Sequence, residues 1–293
     1  MKTKLPLLQI QHFKNQSGSG RFYSDDLKSH LSQHDFITKA HRHNFYLLVL
    51  FTQGSGIHDI DFIPYPIRPG SMFILNPGQV HQWNLSADIE GHILFHTSDY
   101  FNLTFNGFDI TDFPLFKPGG QESILNLSET EVGNIRSLFN EIHNEFVGDK
   151  EFRFRKIYSL INLVYIELSR LVDPENESDK PISRSYFETL KKFEKFIEVH
   201  FKNKKLANEY ADLLNISSRH LNRICKSDYG KTATDVILDR TILEARRLMV
   251  SRTKTIGEIS LELGYEDPAY FSRVFKNRSG ETPSEFIKKY KEA

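Results

Sequence analysis

Two short stretches of the chain carry side chains able to read the edges of base pairs, and they carry them at matching positions. Arg219, Asn222, Arg223 and Lys226 stand in the first; Tyr270, Ser272, Arg273 and Lys276 stand in the second. An arginine presents two parallel donors to guanine, an asparagine amide pairs with adenine, and serine or lysine anchors a phosphate. Taken alone, either stretch reads as a solvated helix face. Two stretches built on the same turn chemistry make that plain reading much the weaker one.

The elements that must position these residues form an approximate internal repeat. Leu213-Leu214-Asn215-Ile216-Ser217, then Leu221, Arg223-Ile224, Lys226, Gly230 and Thr232, recurs as Glu262-Leu263-Gly264-Tyr265-Glu266, then Phe271, Arg273-Val274, Lys276, Gly280 and Thr282. In each copy a short helix ends on a residue that tolerates positive φ, Asn215 or Gly264. Ser217 and Asp267 then stand where an N-cap belongs. The following helix turns Leu221 and Ile224, or Phe271 and Val274, inward and leaves the base-reading set outward. Between the copies, residues 234–250 read as one continuous helix about 25 Å long. That length suits two reading helices about 34 Å apart, one turn of a DNA duplex.

The C-terminal third resembles the AraC/XylS family of transcription regulators. Gly264-Tyr265, Tyr270-Phe271-Ser272-Arg273-Val274-Phe275-Lys276, Gly280 and Thr282-Pro283-Ser284-Glu285-Phe286 are similar to that family's signature almost position for position. The resemblance implies DNA-facing positions at Arg219, Asn222, Arg223, Pro268, Ala269, Ser272 and Arg273. With the residues read above, the expected DNA-binding set is completed by Ser217, Ser218, Lys226, Tyr270 and Lys276. The family often has glycine where Asn215 stands, so the first turn departs from its pattern. RNA polymerase is a partner that the resemblance implies.

Composition sets the frame for both readings. The 293 residues, 39% hydrophobic and 26% charged, have room for two ordinary soluble domains. The net charge of zero hides a division: residues 186–293 hold 21 Lys and Arg against 16 Asp and Glu, while residues 1–185 hold 17 against 22. A basic half beside an acidic half suits a protein of which one part meets a polyanion. The single cysteine, Cys225, excludes an intrachain disulfide and a four-cysteine metal site, and fits a reducing compartment. No secretory leader or membrane-spanning run is present, so a cytoplasmic location and no membrane partner are expected.

The N-terminal half reads as short strands, Phe45 to Phe51, Met72 to Leu75 and His92 to Phe95, punctuated by Gly54-Ser55-Gly56, Pro69-Gly70 and Asn76-Pro77-Gly78. From Ser128 the period becomes helical: Ser128 and Glu131 make a capping box before Val132, Ile135, Leu138, Phe139 and Ile142. A second helix carries Ile157, Leu160, Ile161, Val164, Tyr165 and Leu168 on one face. These helices either cover the strands or zip to a second copy.

His41-Arg42-His43, and Pro77 and His81 with Trp83, are similar to the two motifs of a small cupin barrel. Metal-binding cupins add a carboxylate to the first motif, but Asn44-Phe45-Tyr46 follow here. His41, His43 and His81 could still hold zinc or iron with an open position, but with Tyr46, Phe73 and Trp83 they are read first as lining a pocket for a small organic effector, with polar tips fixing its orientation. A filled barrel that only dimerises is the plainer alternative. A metal-dependent cupin enzyme with a helical interaction module is the other, and no HExxH, phosphate loop or nucleophile elbow supports it. No catalytic residue, cofactor or metal is assigned.

The expected architecture is an α+β two-domain chain. A cupin-like sensor barrel fills residues 1–127, and a helical pair, a candidate for homodimerisation, fills 128–172. A polar linker at 173–184 leads to an all-α double helix-turn-helix domain at 185–293.

Overall fold

The computed structural model describes residues 6–13, 20–34, 37, 39–97, 110, 113–116, 124–172, 184–251 and 253–290; residues 173–183, most of the expected linker, lie outside them. The described residues fall into two compact units, one ending at residue 172 and the other starting at 184.

The first unit contains β1 (Leu7–Leu8), β2 (Phe22–Asp26), α1 (Leu27–Gln33), β3 (His41–His43), β4 (Tyr46–Gln53), β5 (Gly56–Ile60), β6 (Ile63–Ile67), β7 (Ser71–Leu75), β8 (Val80–Leu85), β9 (Glu90–His96), β10 (Ile124–Asn126), α2 (Glu129–Val147) and α3 (Arg153–Arg170). The strands pair as two five-stranded sheets, ordered β1-β3-β8-β5-β6 and β10-β7-β4-β9-β2. The cupin-like expectation holds, with the described strands in two sheets rather than one closed barrel. Phe73 of β7 meets His58 of β5 at 4.6 Å between ring centres, so the sheets face each other.

Residues 46 to 51 of β4 are all buried, which explains why this strand is an unbroken apolar run: both of its faces are covered. Side chains alternate along a strand, so Leu47, Val49 and Phe51 look toward the other sheet while Tyr46, Leu48 and Leu50 look away. Behind that second face lie α2 and α3. Ring nitrogen Nε2 of His96 on β9 meets the Tyr165 hydroxyl of α3 at 2.6 Å. Ile135, Phe139 and Ile142 of α2 and the whole expected apolar face of α3, from Ile157 to Leu168, are buried in the same core as the strands. The pair therefore covers its own sheet, and that face is not open to a second copy. Ser128 and Glu131 form the expected capping box at the start of α2.

The second unit is all helical: α4 (Arg184–His200), α5 (Ala207–Leu213), α6 (Ser218–Tyr229), α7 (Ala233–Val250), α8 (Ile256–Glu262), α9 (Pro268–Ser279) and α10 (Pro283–Lys289). Thr232 with Asp235, Thr255 with Glu258 and Thr282 with Glu285 close capping boxes at the starts of α7, α8 and α10. The same stop-and-start chemistry thus punctuates both copies of the repeat. With 18 residues, α7 is about 27 Å long. It is tied to the elements around it by charge. Arg240 grips Glu198 of α4 through two bonds, 2.7 and 2.9 Å, and Glu244 at 3.0 Å. Arg278 of α9 pairs with Asp235 and approaches Asp239 at 3.6 Å.

Candidate nucleic-acid interface

Both α6 and α9 are entered through a left-handed residue. Asn215 has φ 53° and Gly264 has φ 78°, the two positions at which the sequence calls for that conformation. At Gly264 there is a second requirement, since a Cβ there would run into the carbonyl oxygen of Lys202. Ser217 then accepts the His220 N–H at 3.1 Å, and Asp267 accepts the Ala269 N–H at 2.8 Å, capping α6 and α9. Leu221, Ile224 and Cys225 of α6 are buried, as are Phe271 and Phe275 of α9; Val274, expected inward, is only half-buried. Burial pushes the Cys225 thiol up to about 12, which makes it a packing residue.

On the outward side of α6, Ser217, Arg219, Arg223 and Lys226 are exposed, and Ser218 is half-buried. Ser217, Arg219, Arg223 and Lys226 border a concavity of about 820 Å³ shared with His220, Asn222 and with Thr232 and Thr234 at the entry to α7. Asn222, expected to read adenine, does different work. Its Nδ2 donates to the Ser218 carbonyl at 3.0 Å and its Oδ1 accepts the Ala233 N–H at 2.9 Å, so both ends of the amide are held within the protein. Arg223 is also engaged: Nη2 donates to the Tyr186 hydroxyl at 2.9 Å and to His220 Nδ1 at 2.7 Å. Neither Tyr186 nor His220 belonged to the set read from sequence. His220 lies between Arg219 and Leu221 and was within reach of that reading; Tyr186 lies outside the repeat, and nothing in the sequence marked it.

On α9, Pro268, Ala269, Tyr270, Arg273 and Lys276 are exposed. Ser272 is half-buried and its Oγ donates to the Pro268 carbonyl at 2.8 Å. The Arg273 guanidinium stands 4.0 Å from the Asp267 carboxylate and 5.8 Å from the Tyr270 ring centre.

In the first unit four imidazoles, those of His41, His43, His58 and His81, gather on the inner face of one sheet. His41 sits directly opposite His81, and His58 opposite Trp83, across adjacent strands. His41 and His81 lie 4.3 Å apart between ring centres, His43 and His81 5.1 Å, and His58 and His81 5.2 Å. Tyr46, by contrast, is on the outer face of the second sheet, stacked on His96 at 5.1 Å; the neighbour of His43 is Phe45, at 4.4 Å. A shift of one residue along a strand changes the face, and that separates Tyr46 from the site. Phe73 stays with the histidines through His58. His58 is the member that sequence reasoning missed.

Burial holds these imidazoles neutral: His43 is pushed down to about 3, and His41, His58 and His81 are lowered for the same reason. His43 Nδ1 faces the Phe45 carbonyl at 2.7 Å and so carries the proton, leaving Nε2 as an acceptor. His43 Nε2, His58 Nδ1, His81 Nε2 and Trp83 Nε1 are buried with no hydrogen-bond partner among the described residues. Such atoms cost about 1–3 kcal/mol each if left unsatisfied, so their gathering makes the inner face of this sheet polar and unsatisfied. Among the described residues no three His, Cys, Asp or Glu are arranged to hold a metal ion. No helix among them is long and apolar enough to cross a membrane.

Two capped helices that present matched basic side chains after a tight turn, joined to a separate unit with a polar inner face, define a DNA-binding transcription regulator with a ligand-binding domain. A family model described as a helix-turn-helix domain matches residues 210–289, and one described as the AraC-like ligand binding domain matches residues 27–159. The chain belongs to the AraC family. It is similar to the HTH-type transcriptional activator RhaR of Escherichia coli, 22% identical over 249 residues, which are 84% of this chain and 86% of that protein. The RhaR of Shigella boydii gives the same figures, 22% over 249 residues. Among solved structures, ToxT from Vibrio cholerae aligns with 91% of this chain and 98% of its own at 13% identity and a TM-score of 0.44. The C-terminal domain of AraT, a response regulator from Geobacillus stearothermophilus, aligns with 34% of this chain and 84% of its own at 26% identity and a TM-score of 0.33. The metal-dependent enzyme considered from sequence is not favoured by any of these likenesses.

Proposed function

We propose that α6 and α9 enter successive major grooves of one duplex, with Arg223 and Arg273 reading base edges. In this reading Ser217, Arg219, Lys226, Tyr270 and Lys276 meet the phosphate backbone. Pro268 and Ala269, at the exposed first turn of α9, line its approach to the groove. Ser218 and Asn222 shape the first unit without touching bases. The observation that carries this is the recurrence of one device: a left-handed residue, a capped helix start, and an arginine six residues after the cap, in both units.

The N-terminal unit supplies the control. The inner face of β3, β8 and β5 binds a small polar organic effector that brings a donor to His43 Nε2 and an acceptor to Trp83 Nε1. The effector shifts DNA affinity through its differential contacts in two states of the protein. Activation through contact with RNA polymerase is the mode we assign, supported by the likeness to proteins named transcriptional activators.

The test is selection of binding sites from a randomised duplex pool by the full chain and by its Arg223→Ala and Arg273→Ala variants. Each variant is expected to lose about 1–3 kcal/mol of specific binding and the base preference at one position. Both variants keeping the wild-type preference would sink the assignment.

A further inference from the structure

An arginine grips a two-acceptor base edge along one of two sides of its guanidinium. One side is formed by Nη1 and Nη2, the other by Nε and Nη2; the third is closed by the residue's own Cδ. Guanine offers O6 and N7 to such a fork. Every two-point contact therefore uses one of the two Nη2 hydrogens.

In Arg223 both of those hydrogens are in use. One goes to the Tyr186 hydroxyl oxygen at 2.9 Å and the other to His220 Nδ1 at 2.7 Å. The Tyr186 ring centre lies 5.8 Å from the guanidinium carbon and meets the His220 ring edge-on at 5.5 Å. Tyr186 belongs to the first turn of α4, and His220 sits one turn before Arg223 on α6. The arginine is thus exposed yet cannot present a fork while both bonds hold. Arg273 is not held in this way, since its nearest carboxylate, Asp267, is 4.0 Å off.

We propose that Tyr186 is a specificity-determining residue of the first reading helix: its hydroxyl parks Arg223, and two-point base contact at that position requires the bond to be released. This rests on the reading of Arg223 as a base reader given above. The two units then differ in kind. The second offers its arginine ready for a base edge, and the first gives up an internal bond before it reads.

Tyr186→Phe tests this, since it removes the acceptor and keeps the ring that supports Arg223 and His220. The full chain is compared as wild type, Tyr186→Phe, Arg223→Ala and the double variant on the duplex that wild type enriches from a random pool. Each is also compared on duplexes changed at the base pair where Arg223→Ala loses preference. Tyr186→Phe is expected to bind the enriched duplex about two- to tenfold more tightly, the worth of one released hydrogen bond, and to discriminate more sharply at that base pair. The double variant is expected to match Arg223→Ala. His220→Ala, which frees the other Nη2 hydrogen, is expected to act in the same direction.

Unchanged or weaker binding by Tyr186→Phe, with Arg223→Ala still costing specificity, overturns the parking of Arg223 and leaves its base-reading role standing. A gain in Tyr186→Phe that survives in the double variant also overturns it. If Arg223→Ala keeps the wild-type preference, or wild type enriches no sequence, the base-reading assignment falls and the parking with it.

Discussion

Asn222 Oδ1 accepts the N–H of Ala233, the first residue of α7, at 2.9 Å, while Asn222 Nδ2 donates to Ser218 at 3.0 Å. A helix start leaves several N–H groups without an internal partner, and here a side chain from the preceding helix supplies one. Asn222→Ala is therefore expected to lower stability by about 0.5–2 kcal/mol, as loss of a cap does, and to leave the base preference unchanged. Urea midpoints together with binding-site selection check both halves. A changed preference with unchanged stability would return Asn222 to the reading face.

Gly264 and Asn215 occupy equivalent turns but tolerate substitution differently. At Gly264 a side chain meets both the left-handed backbone and the Lys202 carbonyl. Gly264→Ala is expected to cost about 2–3 kcal/mol or more. Asn215→Gly relieves a left-handed side chain and is expected to change stability by less than about 1 kcal/mol. Thermal or urea unfolding of the two variants separates these outcomes, and equal costs would show that the contact with Lys202 yields without penalty.

Much of the second unit was legible in sequence because its geometry is local. The left-handed positions Asn215 and Gly264, the caps Ser217 and Asp267, and the long α7 are each dictated by a few neighbouring residues. The apolar faces of α2 and α3 were legible for the same reason, through their helical period. What sequence did not show is long-range pairing. Tyr186 reaches Arg223 across 37 positions, and His58 reaches His81 across 23. Tyr46 follows the histidines closely in sequence, yet the alternation of a strand turns it to the opposite face. Asn222 looks like a base reader by type and position, and only the location of Ala233 shows that its amide is already in use.

Lys226 and Lys276 occupy matching exposed positions on α6 and α9. A lysine that neutralises a phosphate releases counterions, and each such contact on duplex DNA adds about 0.9 to the slope of log affinity against log salt. Lys226→Ala and Lys276→Ala are each expected to reduce that slope by roughly one and to weaken binding to all sequences alike. Fluorescence anisotropy across a salt series measures it. A variant that changed base preference while keeping the full slope would place its lysine on a base instead.

The two units are expected to answer acid in opposite directions. Burial holds His30 and His43 down to about 3 and His96 to about 4, so between those values and the ordinary 6.5 the unfolded chain binds protons that the folded unit refuses. Their contribution is complete above about pH 6.5 and is lost as pH falls, by about 2 kcal/mol for each such histidine at pH 5. In the second unit burial raises the Glu194 carboxyl to about 7, against an ordinary 4.5. There the folded state takes up the proton first, so a penalty present above pH 7 is relieved as pH falls toward 4.5. The carboxylates held low beside hydroxyls and cations, Asp235 near 2 among them, lose their contribution only below this window. The chain's one tryptophan, Trp83, lies in the first unit, so its fluorescence follows that unit's unfolding, while amide exchange in α4 to α10 follows the second. From pH 7 to pH 5 the tryptophan-detected urea midpoint is expected to fall while the midpoint of the helical unit holds or rises. His43→Phe is expected to flatten the tryptophan-detected pH dependence, and Glu194→Gln that of the helical unit. A common fall of both midpoints, unmoved by either substitution, would show that these buried groups do not set the acid response.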